Sequence, residues 1–223
     1  MVSRREHAAR LLADYPNALR FRAHAVRDRA VPTAFAQGSE RPVVILPGIY
    51  ESWHYLRPVA ERLNELGHPV HVIPALGLNR APIPATAARV HAYLVDHELA
   101  GVAIVAHSKG GIVGKHLMAL DDREGRVDRL IAIASPFGGS AMARIAPNPA
   151  LRAFLPTDPV IAGLAAERAV NARITSIYPS FDPHIPDGSA LEGARNVEVP
   201  VVGHFRILLQ PAVIAAVLEA VGA

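Results

Sequence analysis

The sequence has no cysteine among its 223 residues, so disulfide bonds and thiol chemistry are excluded. Lysine is almost as rare, because only Lys109 and Lys115 carry an ammonium group and arginine supplies the remaining positive charge. Aromatic residues make up 5% of the chain and are not interleaved with the arginines in a way that suggests base stacking on nucleic acid. No apolar run approaches the roughly 18 residues of a membrane span, and none of about 7–15 residues follows the N-terminal charges.

The composition that remains is typical of one folded domain. Hydrophobic residues form 51% of the chain and charged residues 19%, which is a globular and not a disordered balance. A chain of this length can bury a sizeable core. We therefore expect a single domain over residues 1–223, with an N-terminal arm over 1–40. Without a visible signal sequence the expected location is the cytoplasm, and secretion stays open if a signal was removed.

Positive charge is concentrated near the N-terminus, although the formal net charge is only +3. The arginines of this cluster are Arg4, Arg5, Arg10, Arg20, Arg22, Arg27 and Arg29. Such clusters occur on proteins that bind nucleic acid or an anionic membrane surface. A solvated helix face in a sequence rich in alanine and arginine explains the cluster more simply. We therefore expect no nucleic-acid partner and leave contact with a lipid interface open.

Strand and helix patterns alternate regularly from Pro42 onwards. The predicted strands are 43–46, 70–73, 102–106, 130–134, 174–178 and 197–202. The predicted helices are 3–14, which ends at Tyr15 and Pro16, then 55–66, 85–98, 109 to about 120, and 211–220. This alternation predicts an α/β fold with a doubly wound, mainly parallel sheet. A proline-rich segment over about 136–170 interrupts the alternation and is predicted to form a small lid.

The most informative stretch is VAIVAHSKGG, residues 102–111. A buried strand runs directly into Ser108, and a helix begins immediately after it. A turn this tight makes a hydroxyl project above the sheet, and it needs small flanking residues such as Ala106 and Gly110. The pattern predicts a nucleophile elbow. The alternative is that Ser108 only caps the following helix.

The string from Ala106 to Gly110 resembles the A-x-S-x-G elbow of certain bacterial lipases, which are members of the α/β-hydrolase superfamily. Ala106 stands where the usual G-x-S-x-G has its first glycine. The resemblance covers residues from about 42 to 220. It implies an α/β-hydrolase fold with a serine nucleophile and chemistry that requires neither a metal nor an organic cofactor.

A serine nucleophile needs a histidine to take its proton and an acid to orient that histidine. In this superfamily the chain order is nucleophile, acid, histidine. The loop after strand 174–178 resembles the D-x-x-V/I-P acid loop of bacterial lipases, with Asp182 at the acid position. Asp187 is a rival in the next turn, but Asp182 is nearer the strand end. The histidine is assigned to His204, since no other histidine follows the last strand.

The oxyanion of the reaction needs two hydrogen-bond donors. One is expected from the backbone N–H of Lys109, at the start of a helix. The segment Pro47-Gly48-Ile49-Tyr50 resembles the superfamily's H-G-x segment, which implies that Ile49 supplies the second N–H. A plain turn is the alternative. Pro47 replaces the histidine of that segment, so the bracing of the loop stays open.

Substrate contacts are expected from Tyr50, Phe137, Phe154 and Leu155. The apolar residues of the segment 136–170 form either an acyl-binding wall or a small core of their own. Residues 134–140 also resemble the T/S-P-H-x-G-S/T stretch of many lipases, but Phe137 replaces its histidine, so no metal is expected there. We expect His107 to pack beside the elbow and His184 to line the cleft.

The leading hypothesis is a lipase or carboxylesterase that cleaves a small-molecule ester or lipid through an acyl-enzyme. A thioesterase, amidase or lactonase with the same triad is the alternative. A catalytically silent hydrolase fold that acts as a binding module is a hypothesis from another class. A nucleotide or phosphopantetheine binder is disfavoured, because the sequence has neither a G-x-G-x-x-G nor a Walker loop. The oligomeric state is not predicted.

Overall fold

The computed structural model describes residues 4–27, 32–146 and 148–222. The remaining positions of the predicted arm, including Arg29, lie outside the described residues. In the described part of the chain, six strands form one sheet in the order β2-β1-β3-β4-β5-β6, and every neighbouring pair is parallel. The strands are β1 (Val43–Leu46), β2 (Val70–Val72), β3 (Val102–His107), β4 (Val127–Ile133), β5 (Ile174–Phe181) and β6 (Arg195–Val202). The predicted parallel α/β sheet is confirmed.

Helices cover both faces of this sheet. They are α1 (Arg4–Arg27), α2 (Arg57–Glu65), α3 (Ile83–Asp96), α4 (Lys109–His116), α5 (Pro159–Ala166) and α6 (Pro211–Gly222). Helices α3, α4 and α5 bury apolar residues in the core on one face. Helices α1, α2 and α6 do so on the other face. Every residue of β1 and β3 is buried, as expected for central strands that are covered on both sides.

The N-terminal helix is longer than the sequence predicts. We expected it to end at Tyr15 and Pro16, and this is wrong, because α1 continues through Pro16 to Arg27. A proline inside a helix removes one hydrogen bond and costs about 3 kcal/mol. Packing offsets that loss, since Phe21 is buried and stacks on Tyr55 with ring centroids 4.8 Å apart. The Tyr55 hydroxyl also donates to the carbonyl of Ala18 at 3.1 Å.

The predicted lid segment forms short helical turns beside α5. Two 3-10 helices, Ala141–Arg144 and Pro149–Phe154, precede α5, and a third, Ala169–Arg173, follows it. Ile161 and Leu164 of α5 are buried in the core on that face. Part of the segment therefore packs as a core, and its movement as a lid stays a prediction. Among the described residues, no helix has the length and apolarity that a bilayer crossing requires.

Candidate active site

Ser108 occupies a strained turn between β3 and α4. Its backbone has φ 52° and ψ −120°, a left-handed value that residues other than glycine rarely adopt. The turn is tight because Gly110 lies directly against β1, where an added Cβ would meet the Leu46 carbonyl oxygen at 2.1 Å. The Ser108 side chain makes no capping hydrogen bond to α4. The geometry therefore favours the nucleophile elbow over a simple helix cap.

Asp182 and His204 form a buried pair at the carboxyl edge of the sheet. Asp182 follows β5, His204 follows β6, and the two residues are 4% and 5% exposed. His204 Nδ1 lies 2.7 Å from Asp182 Oδ2. Asp187, the rival acid, instead accepts a hydrogen bond from the Ala141 N–H at 2.8 Å. Ser108 and His204 both line one cavity, so the structure brings the predicted residues to a common site.

The carboxylates around His204 favour its charged form. Burial alone would lower the pKa of His204, but the Asp182 carboxylate opposes it, assisted by Glu51 and Asp14, and the pKa is raised. Burial by itself would raise the pKa of Asp182, yet His204 and His184 hold that pKa below its usual value. The pair is therefore suited to hold an imidazolium beside a carboxylate, which is what a general base needs after it takes a proton.

His184 lies next to this pair and lines the cavity, as expected. Its ring centroid is 5.0 Å from that of His204. Burial, together with the nearby His204, lowers the pKa of His184 to about 4. His184 is therefore neutral at physiological pH and does not compete with His204 as a base.

The predicted oxyanion donors lie on the loop after β1 and at the start of α4. The N–H of Tyr50 donates to the Leu78 carbonyl at 2.8 Å, and that of Gly48 donates to the Glu51 carboxylate at 2.7 Å. Ile49 lies between these two residues and lines the cavity. Lys109 is the first residue of α4, where a backbone N–H has no intrahelical partner.

Glu51 braces residues 47–50, the loop after β1 that carries the predicted oxyanion donor Ile49 and is called the oxyanion loop below. Sequence reasoning missed Glu51. This carboxylate is 3% exposed and lies 2.8 Å from His107 Nδ1, in addition to its bond with the Gly48 N–H. His107 Nε2 is 3.1 Å from the His204 carbonyl oxygen, which can only accept a hydrogen bond, so this nitrogen donates. We expect His107 to pack beside the elbow in a structural or supporting role. In the structure it connects the loop after β1 to the loop that carries His204.

Glu51, His107 and His204 offer ligand atoms within 4.8 Å of one another, which is the spacing of a metal site. Both ring nitrogens of His107 are already engaged, one with Glu51 and one with the His204 carbonyl. His204 Nδ1 is engaged with Asp182. These residues therefore fit a hydrogen-bonded chain better than a ligand set.

Lys109 supports the oxyanion loop from the other side. Its side chain is 2% exposed, and Nζ donates to the carbonyls of Asn79, at 2.7 Å, and Ala81. The Asn79 side chain donates in turn to the Pro47 carbonyl at 2.7 Å. Burial lowers the pKa of Lys109 to about 8. Asn79 and Glu51 thus brace the loop that has Pro47 in place of the expected histidine.

A mainly apolar cavity of about 480 Å³ adjoins Ser108 and His204. Tyr50 and Phe154, two of the predicted substrate contacts, line it. Phe137 and Leu155 do not belong to this lining and need correction. Phe137 is 6% exposed and buried in the core, and Leu155 packs against the same core. Helix α1 contributes to the wall, which sequence reasoning did not anticipate; its lining residues are Leu11, Tyr15 and Arg22.

Comparison with known proteins shows the fold. The chain has a TM-score of 0.63 with a lipase from Bacillus licheniformis at 15% identity, covering 83% of this chain and 92% of the lipase. An α/β hydrolase fold protein from Burkholderia ambifaria gives a TM-score of 0.62 at 18% identity, covering 82% of this chain and 92% of that one. The chain therefore has the α/β-hydrolase fold.

Sequence similarity to characterised proteins is more limited. No family model matches the chain. It is 28% identical over 108 residues to the lysosomal thioesterase PPT2 of Rattus norvegicus, a match that covers 45% of this chain. The same match spans only 35% of the thioesterase.

Proposed function

We propose that this protein is a serine hydrolase that cleaves carboxylic esters through an acyl-enzyme. The observation that carries the proposal is the buried Asp182–His204 pair, at 2.7 Å, in one site with a serine held in a strained strand-to-helix turn. A capping serine has no need of that backbone strain, whereas a nucleophile does.

In the proposed reaction Ser108 Oγ attacks the ester carbonyl, and His204 Nε2 takes the proton. Asp182 stabilises the resulting imidazolium through Nδ1. The N–H groups of Ile49 and Lys109 stabilise the oxyanion of the tetrahedral intermediate. His204 then donates the proton to the departing alcohol, which leaves an ester of Ser108. Water, deprotonated by His204, attacks that ester and releases the carboxylic acid.

The cavity favours substrates with a medium or long acyl chain, because its lining is mainly apolar. A thioester is the second candidate substrate, supported by the match to a lysosomal thioesterase. The two share the acyl group and differ in the leaving group. Matched ester, thioester and amide substrates with the same acyl chain, compared by kcat/KM, distinguish a carboxylesterase from a thioesterase or an amidase.

The proposed function is tested by labelling with a fluorophosphonate probe. We expect the wild-type protein to form one adduct, which peptide mass spectrometry locates on Ser108, since only an activated serine reacts quickly with such probes. Ser108→Ala should remain unlabelled. Ser180→Ala, at an exposed β5 position whose hydroxyl donates to the Val201 carbonyl at 3.0 Å, should label like the wild type. An unlabelled wild type would instead support the silent binding module.

We further propose that α1 contacts a lipid interface. Leu12, Leu19 and Val26 recur every seven residues along one side of the helix and are 69%, 62% and 87% exposed. The exposed Arg5 and Arg20 of the same helix would complement anionic headgroups. Helix α1 also lines the cavity. Contact between its exposed apolar side and a lipid surface would therefore bring lipid substrates close to the site.

Sedimentation with phosphatidylglycerol vesicles tests this contact. The triple variant Leu12→Ser, Leu19→Ser, Val26→Ser should bind about tenfold or more weakly, because its apolar contact area is lost. Leu66→Ser, at an exposed apolar position immediately after α2, is the control. Turnover of a short soluble ester should be the same in all three proteins. Wild-type vesicle binding by the triple variant would contradict the contact.

A further inference from the structure

Asp14 of α1 contacts the loop that carries His204. Its Oδ2 accepts hydrogen bonds from the backbone N–H groups of His204, at 2.7 Å, and Phe205, at 3.0 Å. Its Oδ1 accepts from the N–H of Arg206 at 3.0 Å. Asp14 is 3% exposed, so these bonds are shielded from water. One carboxylate from near the N-terminus thus binds three consecutive amides that lie about 190 residues further along the chain.

Two of these amides, those of Phe205 and Arg206, are donors that a helical turn leaves unsatisfied at its start. A 3-10 helix, Arg206–Leu209, begins immediately after His204 and Phe205. No side chain of its own caps that helix. Asp14 supplies the missing acceptor from another element, and its negative charge is favourable at the positive end of a helical turn.

The absence of a side chain at Gly203 makes room for the Asp14 carboxylate. Gly203 precedes the three amides and has φ +130°, and a Cβ added there would lie 2.5 Å from Asp14 Oδ1. Only glycine therefore leaves room for Asp14 at this contact. Gly203 therefore has a specific packing role, since it makes room for Asp14 beside His204.

We propose that Asp14 is a positioning residue for the general base. Helix α1 would then contribute to catalysis by supplying Asp14. The inference rests on the proposed function, because it assigns His204 the role of base. Asp14 acts in two ways. Its hydrogen bonds fix the backbone that orients the imidazole, and its charge stabilises the imidazolium.

Several charged or titratable groups face the His204 ring from the surrounding elements; they are Asp182, His184, His107, Glu51 and Asp14. Asp182 and Glu51 also favour the protonated ring. Asp14 differs from them because, within the part of the chain that the structure describes, it accepts hydrogen bonds from the backbone of residues 204–206 and from the Asn17 side chain. Its charge can therefore be removed without disturbing the Asp182 or Glu51 hydrogen bonds.

The test is an NMR titration of the His204 ring in the resting protein with labelled histidine. Asp14→Asn keeps the side-chain shape and an oxygen that can accept from the N–H groups of His204 and Phe205. It removes the charge and also the bond from the Arg206 N–H, because an amide nitrogen cannot accept. The pKa of His204 should therefore fall by about half a pH unit or more. Glu6→Gln removes an exposed charge of the same helix and should leave the titration unchanged. An unchanged His204 titration in Asp14→Asn would overturn the proposal. This readout does not depend on activity, so it can fail or succeed independently of the proposed function.

Kinetics provide the second readout. The acid limb of kcat/KM should move to lower pH in Asp14→Asn, because a base with a lower pKa is free at lower pH. Asp14→Ala also removes the acceptor and should lower kcat about 10- to 100-fold with little change in KM. A merely structural role would lower activity without moving the limb. In the wild type, fast amide exchange at residues 204–206 would also contradict the proposal.

Discussion

Ser108→Ala is expected to lower kcat for ester hydrolysis by about 10⁵- to 10⁶-fold while the fold is retained. The loss is this large because no other group can form the acyl-enzyme, and only binding and the oxyanion donors continue to act. Alanine fits the turn, since the residue points into a cavity and not into the core. Stopped assays on a p-nitrophenyl ester series from short to long chains measure the loss, and circular dichroism checks the fold.

His204→Ala and the double variant provide the control for this result. If Ser108 and His204 act as one unit, each single variant should lose about as much activity as the double variant. Losses that multiply would show that the two residues act separately. Full activity in either single variant would contradict the assignment of the nucleophile and the base.

Asp182→Asn is expected to lower kcat by about 10⁴-fold. The asparagine amide would donate to His204 Nδ1 and place the ring proton on Nε2, so the ring could no longer accept the proton of Ser108. The second carboxylate oxygen, Oδ1, now accepts from the N–H groups of His184 and Ile185 at 2.8 and 3.0 Å. An amide oxygen can keep those two bonds, so the loop should stay in place.

Asp187→Asn is the matched control for Asp182→Asn. Asp187 lies in the same loop, five positions further on, but its hydrogen bond goes to the Ala141 N–H and not to His204. We expect its kcat to stay within about threefold of the wild type, as for other substitutions away from the reacting atoms. A large loss in Asp187→Asn with a small loss in Asp182→Asn would reverse the assignment of the acid.

The sheet could be predicted from sequence because its central strands are short apolar runs between turn residues. Residues 43–46 and 102–106 leave no polar position to face water, and the structure buries all of them. Helix α1 could not be predicted in full. Its continuation through Pro16 depends on Phe21 packing against Tyr55, a tertiary contact that no local pattern contains.

The residues that the structure brings together at the candidate site could be predicted from sequence, but those that support them could not. Ser108 follows a strand and has small residues two positions away on each side, so the local sequence indicates its tight turn. Asp14 and Glu51 act through space on loops far along the chain, and nothing in their own neighbourhoods indicates a partner. The prediction that Phe137 contacts substrate was wrong for a related reason. The local sequence does not show whether an aromatic residue near a site faces the cavity or the core, and Phe137 is in the core.

The left-handed backbone at Ser108 creates a conflict between stability and activity. A non-glycine residue in such a conformation costs about 1–3 kcal/mol, a sizeable fraction of the net stability of a small domain. Glycine would release that strain, yet it has no hydroxyl, so selection for thermal tolerance and selection for turnover favour different residues here. Stabilising changes compatible with function must therefore be sought elsewhere, for example on exposed helix surfaces.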